Sequence, residues 1–110
     1  MVAPSTGAVV LVPFPFSDLS ASKLRPAVVL ADAARGDWVL CQVTSNPYGD
    51  SRALELHAAD FAQGSLHRVS FARPARLFTA QQQLITAKVA QLTDAALGKL
   101  IDGVIKVFRP

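Results

Sequence analysis

The stretch that decides the fold is Lys23 to Asn46, KLRPAVVLADAARGDWVLCQVTSN. Ala27 to Ala31 is a nearly continuous apolar run, and so is Trp38 to Val43. Between them, Asp32-Ala-Ala-Arg-Gly-Asp37 supplies the small and polar residues of a turn. The stretch therefore reads as a hairpin of two buried strands. With the turn centred between Ala34 and Arg35, antiparallel pairing sets Arg25 opposite Thr44. These two polar residues bracket the apolar interior at its open end, so a guanidinium and a hydroxyl are expected side by side at the mouth of a β structure. One bulge would slide that register. The pair is the leading candidate for a chemical centre.

Working outward, the 110 residues are expected to form a single domain, residues 1–110. The chain is 51% hydrophobic, which allows a core of moderate size. No apolar run approaches the roughly 18 residues of a membrane span, and MVAPSTGAVVLVPF lacks the basic start of a secretory signal. A cytoplasmic protein without a membrane partner is expected. Cys41 is the single cysteine and lies in an apolar strand, so it reads as a small core residue. The net charge is +3 and the pI near 9.5, which permits an anionic partner without demanding one. Placement says more. Gly64 to Thr79 holds Arg68, Arg73, Arg76 and His67 with no acid, and Lys23 with Arg25 makes a second basic pair. Two basic segments flanking one pocket suit phosphate, while the plainer reading is a solvated face.

Before the hairpin, Ala8 to Pro13 reads as a buried strand that ends or becomes an edge at Phe14-Pro15-Phe16. Ser17 to Ser22 reads as a loop over the mouth where Arg25 sits. Phe14 or Phe16 is a candidate for stacking on a base, with core plugging as the alternative. Beyond the hairpin, Pro47 to Ser51 is a loop, Ala53 to Leu56 a short strand, His57 to Phe61 a helical turn and Ala62 to Ser65 a second turn. Leu66 to Ala72 and Ala75 to Thr79 read as strands interrupted by Pro74, which suggests a bulge or an edge. Ala80 to Leu84 reads as a short helix and Ala87 to Leu92 as a last strand. Leu97, Leu100, Ile101, Val104, Ile105 and Phe108 form one apolar stripe of a C-terminal helix, with Thr93 as its N-cap. Gly98 and Gly103 oppose that helix unless a helix or strand packs closely on them. About seven short strands and one strong helix make an α+β, mainly β fold: a small, SH3-like bent sheet or partly open barrel covered on one side by the helix.

Standard signatures are absent: there is no phosphate-binding glycine loop, no Cys-x-x-Cys and no Gly-x-Ser-x-Gly. His57, Asp60 and His67 do not have metal-ligand spacing, so no metal and no cofactor are expected. His57 and His67 are an alternative acid–base pair for RNA cleavage. Arg25 has the sharper rationale, because Pro26 holds the residue before it extended and so fixes where the guanidinium leaves the chain. Its fork of donors matches a phosphate, and Thr44 and Ser45 add hydroxyls at the same rim.

VVLVPFPFSDLSASKLRPAVVL, then LCQVTS, DFAQGSLHRVSFARPARLFT and LITAKVAQL resemble, in order, the successive motifs of the MazF/PemK family, the toxins of type II toxin–antitoxin systems. The likeness runs from about Gly7 to the C-terminal helix. It implies a CcdB/PemK-type barrel-like sheet, a homodimer, and sequence-specific, metal-independent cleavage of single-stranded RNA, messenger RNA included. A cognate antitoxin is implied as partner. The family's arginine of the Arg-Pro step maps onto Arg25 and its threonine onto Thr44, the catalytic pair. Phe16, Ser17, Asp18, Lys23, Ser45, Ser70, Arg73 and Arg76 are the RNA-binding candidates. The chain departs from the family at Gly7-Ala8, where Gly-Asp is usual, and lacks a glutamine near Pro74. The implied chemistry is attack by the RNA's own 2′-hydroxyl, leaving a 2′,3′-cyclic phosphate and a 5′-hydroxyl. Two other classes remain open at this point: a gyrase-poison-like, protein-binding toxin of the same fold, and a non-catalytic nucleic-acid-binding module.

Overall fold

The computed structural model describes residues 4–15 and 22–110. Its described strands are β1 (Ala8–Pro15), β2 (Ser22–Ala34), β3 (Asp37–Thr44), β4 (Leu54–Leu56), β5 (Phe61–Gly64), β6 (Ser70–Gln81) and β7 (Ala87–Leu92). They form one antiparallel sheet in the order β4-β6-β3-β2-β1-β7-β5. The outermost strands, β4 and β5, are joined through a single short 3₁₀ turn, Ala58–Asp60. A link that short holds the two edges near each other, so the sheet curls into a nearly closed barrel. Helix α1 (Asp94–Phe108) packs on β6 and β7.

The continuous apolar runs have a simple cause: both faces of β1, β2 and β3 are covered, so neither face needs polar residues. Val9, Val28, Cys41 and Val43 point to one face and pack with Leu100 and Ala96 of α1. Val10, Val12, Ala27, Val29 and Leu40 point to the other and pack with Ile85, Trp38 and Phe78. Leu100 is 1% exposed, and burying one such side chain stabilises by about 2 kcal/mol. At the start of α1, Thr93 Oγ1 accepts the Ala96 amide at 3.1 Å, the cap read from the sequence. Gly103 meets β6: a Cβ there would lie 3.0 Å from Pro74 Cγ, so this glycine serves the contact between helix and strand. Gly98 has no such neighbour within 4 Å.

Two expectations change and a third is made definite. Phe61–Gly64, read mostly as a turn, is strand β5, a short edge strand paired to β7. Ser70–Gln81 is one strand, and Leu66 to Val69 lies outside it. Pro74 sits in a large bulge, one of the two settings expected for it, because Cys41 pairs with Leu77 while Val43 pairs with Ala72. Residues 73–76 are thus left out of the ladder opposite Gln42. A proline, having no amide to donate, suits such a place. The same logic serves β1, whose pairing with β7 stops at Leu11 and leaves one flank open at Pro13 and Pro15.

Candidate functional site

The hairpin register delivers Arg25 and Thr44 to one mouth. Ala27 pairs with Gln42 and Val28 with Cys41, and continuing that ladder sets Arg25 across from Thr44. The turn itself is not where the sequence put it. Ala34 pairs with Asp37, which centres the turn between Arg35 and Gly36, one residue later than expected. Two irregularities, at Val29/Ala31 and Asp32/Ala34, then shift the pairing back. The period of two along a strand places Arg25, Gln42 and Thr44 on the face shared by Ala27, Val29 and Leu40.

Arg25, Gln42, Thr44, Arg73 and Arg76, with Val43 and Tyr48, line a cavity of about 460 Å³. Its described lining holds three arginines and no carboxylate. The bulge at Pro74 is what frees Arg73 and Arg76 from the ladder to line it. Gln42 is buried at 6% exposure, and its Oε1 accepts Arg76 Nε at 3.3 Å. Arg73 Nε donates to Asp50 Oδ2 at 3.0 Å, with the two side chains only 15% and 12% exposed. The guanidinium carbon of Arg73 lies 5.8 Å from the centre of the Tyr48 ring. The Arg52 amide, donating to Asp50 Oδ1 at 2.9 Å, and then the Arg73 guanidinium hold the Asp50 carboxyl below the usual carboxylate range. Asp50 is therefore a fixed counter-charge and a poor proton acceptor at neutral pH.

A second cavity of about 260 Å³ also touches Arg25 and Thr44 and adds Ser45, Leu66, His67, Arg68 and Ser70. Ser70 is buried, and its hydroxyl donates to the Arg68 carbonyl at 3.0 Å. The Thr44 hydroxyl donates to the Asn46 carbonyl at 3.0 Å and accepts the Asn46 amide at 3.2 Å. Rotation about its C–O bond redirects that proton toward a bound group.

Of the residues singled out from sequence, Arg25, Thr44, Arg73 and Arg76 line the first cavity, and Ser45 and Ser70 the second. Lys23 is exposed on β2 and lines neither. Phe16, Ser17 and Asp18 lie outside the described residues. His57 stands beside Glu55 at 3.4 Å, whereas His67 lines the second cavity, so no described cavity holds the histidines together. Among the described residues no three His, Cys, Asp or Glu gather as metal ligands would. Burial pushes the Cys41 thiol up to about 12, so it is a neutral core group, as its sequence setting suggests. Gln42, Tyr48 and Asp50 carry weight in the site that sequence reasoning missed. The available signal was Asn46-Pro-Tyr-Gly-Asp50, in which a tyrosine occupies the place before Gly that turns favour for Asn or Asp.

The whole architecture matches solved toxin structures. A MazF from Deinococcus radiodurans superposes with a TM-score of 0.75 at 20% identity, each chain covered over 100% of its length. The fold is that of the MazF toxins. A MazE–MazF complex from the same organism matches with a TM-score of 0.73 at 19% identity, over 98% of this chain and 97% of that one. An endoribonuclease in complex with its cognate antitoxin, from a mycobacterial species, matches with a TM-score of 0.73 at 12% identity, over 99% of this chain and 96% of that one. No family model and no curated protein sequence matches the chain. The mainly β barrel with its C-terminal helix is thus a MazF-type fold, while the arginine cavity is read from this chain's own residues. No helix among the described residues is long and apolar enough to cross a membrane.

Proposed function

We propose that the chain is the toxin of a type II toxin–antitoxin pair, an endoribonuclease that cuts single-stranded RNA, messenger RNA included, sequence-specifically and without a metal ion. The supporting observation is the convergence of Arg25, Arg73 and Arg76 with Thr44 on one cavity whose described lining has no carboxylate, within a MazF-type fold. Arg73 already has Asp50 as a counter-charge, yet three guanidiniums bordering one space keep it basic, and their forked donors fit phosphate oxygens. A protein-binding toxin has no use for such a cavity, and a passive nucleic-acid-binding module has no need of a hydroxyl at its centre.

In the proposed reaction the substrate's 2′-oxygen attacks phosphorus and the bond to the 5′-oxygen breaks. Arg25 stabilises the charge that builds on the non-bridging oxygens, an effect that grows in a water-poor cleft. Thr44 donates its proton to, or orients, the leaving 5′-oxygen. The proton of the 2′-hydroxyl goes to water or to Asp18. Arg73 and Arg76 hold the flanking phosphate, Ser45 and Ser70 add polar contacts at the second cavity, and Phe16, Ser17 and Lys23 complete the RNA path. The proposed partners are RNA, a cognate antitoxin covering the same groove, and a second copy of the chain; the setting is the cytoplasm, without a membrane. No cofactor enters the scheme.

The test is to incubate the purified chain with mixed single-stranded RNA and a chelator. Cleavage leaving 2′,3′-cyclic phosphate and 5′-hydroxyl ends is expected, and DNA of the same sequence stays whole for want of the 2′-hydroxyl. Arg25→Ala should fold normally and lose cleavage by about 100-fold or more. Products with a 5′-phosphate, or a wild-type rate in Arg25→Ala, would remove the mechanism.

A further inference from the structure

Tyr48 has a backbone that works against its own side chain. It stands at φ +53, followed by Gly49 at +74, and the Asp50 amide closes the turn on the Pro47 carbonyl at 2.9 Å. Two successive left-handed residues make a mirror-image turn whose first central place favours Asn, Asp or Gly, and a bulky residue there is an outlier. The geometry is nonetheless held from both sides. Asn46 Oδ1 accepts the Tyr48 amide at 2.9 Å, and Asp50 is tied to Arg73. The ring so placed does not enter the core: Tyr48 is 72% exposed and borders the arginine cavity, meeting Arg73 at 5.8 Å. A strained position that keeps a large aromatic in water has no packing purpose. It does have a recognition purpose, because a nucleobase joined to a phosphate in the cavity reaches the rim where the ring stands.

We propose that Tyr48 is a base-binding residue, whose ring stacks on the nucleobase next to the phosphate held by Arg25, Arg73 and Arg76. This rests on the RNA-cleaving reading of the same cavity. Stacking needs the ring face and not the phenol hydroxyl, and it tolerates any base because every base has a π-face. Tyr48 therefore contributes affinity for unpaired RNA more than sequence choice. Arg73 links the two functions, with its Nε on Asp50 and its guanidinium carbon over the ring.

The test measures binding of a short, fluorescein-labelled, 2′-O-methyl single-stranded RNA of mixed sequence, which cannot be cleaved. Wild type, Tyr48→Phe, Tyr48→Asn and Arg76→Ala are compared across a salt series, and thermal melting checks each fold. Asn suits the backbone, so Tyr48→Asn should melt no lower than wild type. Its binding should weaken by about fivefold or more, with the salt slope unchanged because no phosphate contact is lost. Tyr48→Phe should bind within about twofold of wild type. Arg76→Ala should lower the salt slope. Wild-type binding by Tyr48→Asn, or a salt slope reduced as in Arg76→Ala, overturns the proposal and leaves the nuclease reading standing. A wild-type chain that neither binds this RNA nor cleaves unmodified RNA overturns both.

Discussion

Two turns in this molecule share the backbone of their two central residues and differ in what holds them. The tip of the β2–β3 hairpin has Arg35 at φ +58 and Gly36 at +79, preceded by Ala34, also left-handed at +70; the loop after β3 has Tyr48 at +53 and Gly49 at +74. Each places a long side chain where Asn or Gly is preferred. At the hairpin tip the geometry is imposed by the ladder, since Ala34 pairs with Asp37 and strand twist favours this turn. At the second turn no ladder imposes it. The next strand, β4, pairs with β6 and not with β3. What fixes that turn is polar: the Asn46 side chain at its entry and the Asp50–Arg73 ion pair at its exit. The first turn serves the fold, and the second is built onto the cavity.

The largest difference between them should appear when the carboxylate at each is removed. Asp32 Oδ1 accepts the Ala34 amide at 2.7 Å in an exposed setting, so Asp32→Ala should cost under about 1 kcal/mol. Asp50→Ala removes the partner of an arginine that is 15% exposed and should cost roughly 2 kcal/mol by denaturant melting. Because Asp50 positions Arg73, it should also raise KM for RNA several-fold while kcat changes less. An equal loss in the two variants would erase the distinction between the turns. Acid supplies a second check. A carboxyl held below its unfolded value contributes stability that is fully present above that value and lost as pH falls through the folded one. The stability gap between wild type and Asp50→Ala should be flat near neutrality and close on acidification below about pH 4. A gap that widens in acid would place the ion pair elsewhere.

The same contrast explains what the sequence could and could not disclose. Apolar periodicity exposed β1, β2, β3, β7 and α1, because burial on both faces writes long apolar runs and a helix writes a stripe. It missed β5, since Phe61–Gly64 is an exposed edge with almost no pattern to read. Arg25 and Thr44 were legible as neighbours, yet partly through cancellation, as two bulges undo a one-residue error in the turn. Pro74 signals a bulge or an edge, and local reasoning cannot choose between them because it does not see Gly103 across from it. That bulge is what brings Arg73 and Arg76 to the cavity; the sequence suggests two basic segments flanking one pocket, but not the bulge that turns these side chains toward it. Asp50 and Tyr48 depend on a contact spanning 23 residues from Asp50 to Arg73, which no local pattern encodes.

The smallest expected effect separates the two turns most cleanly. Asparagine tolerates the left-handed region, so replacing the first central residue with Asn should relieve strain at either turn. Arg35→Asn and Tyr48→Asn should each raise stability by a few tenths of a kcal/mol, to about 1 kcal/mol at most. Arg35 is exposed at a tip that borders neither the first nor the second cavity, so its replacement should leave RNA cleavage at the wild-type rate. Tyr48→Asn should gain the same stability and lose RNA affinity. Melting and cleavage measured on both variants decide the matter. Matched gains with activity lost at Tyr48 alone mean that the strain at the second turn is kept for the ring it presents. A drop in stability at Tyr48→Asn would instead mean that the ring supports the fold through Arg73, and the comparison between the turns would fail on its own terms.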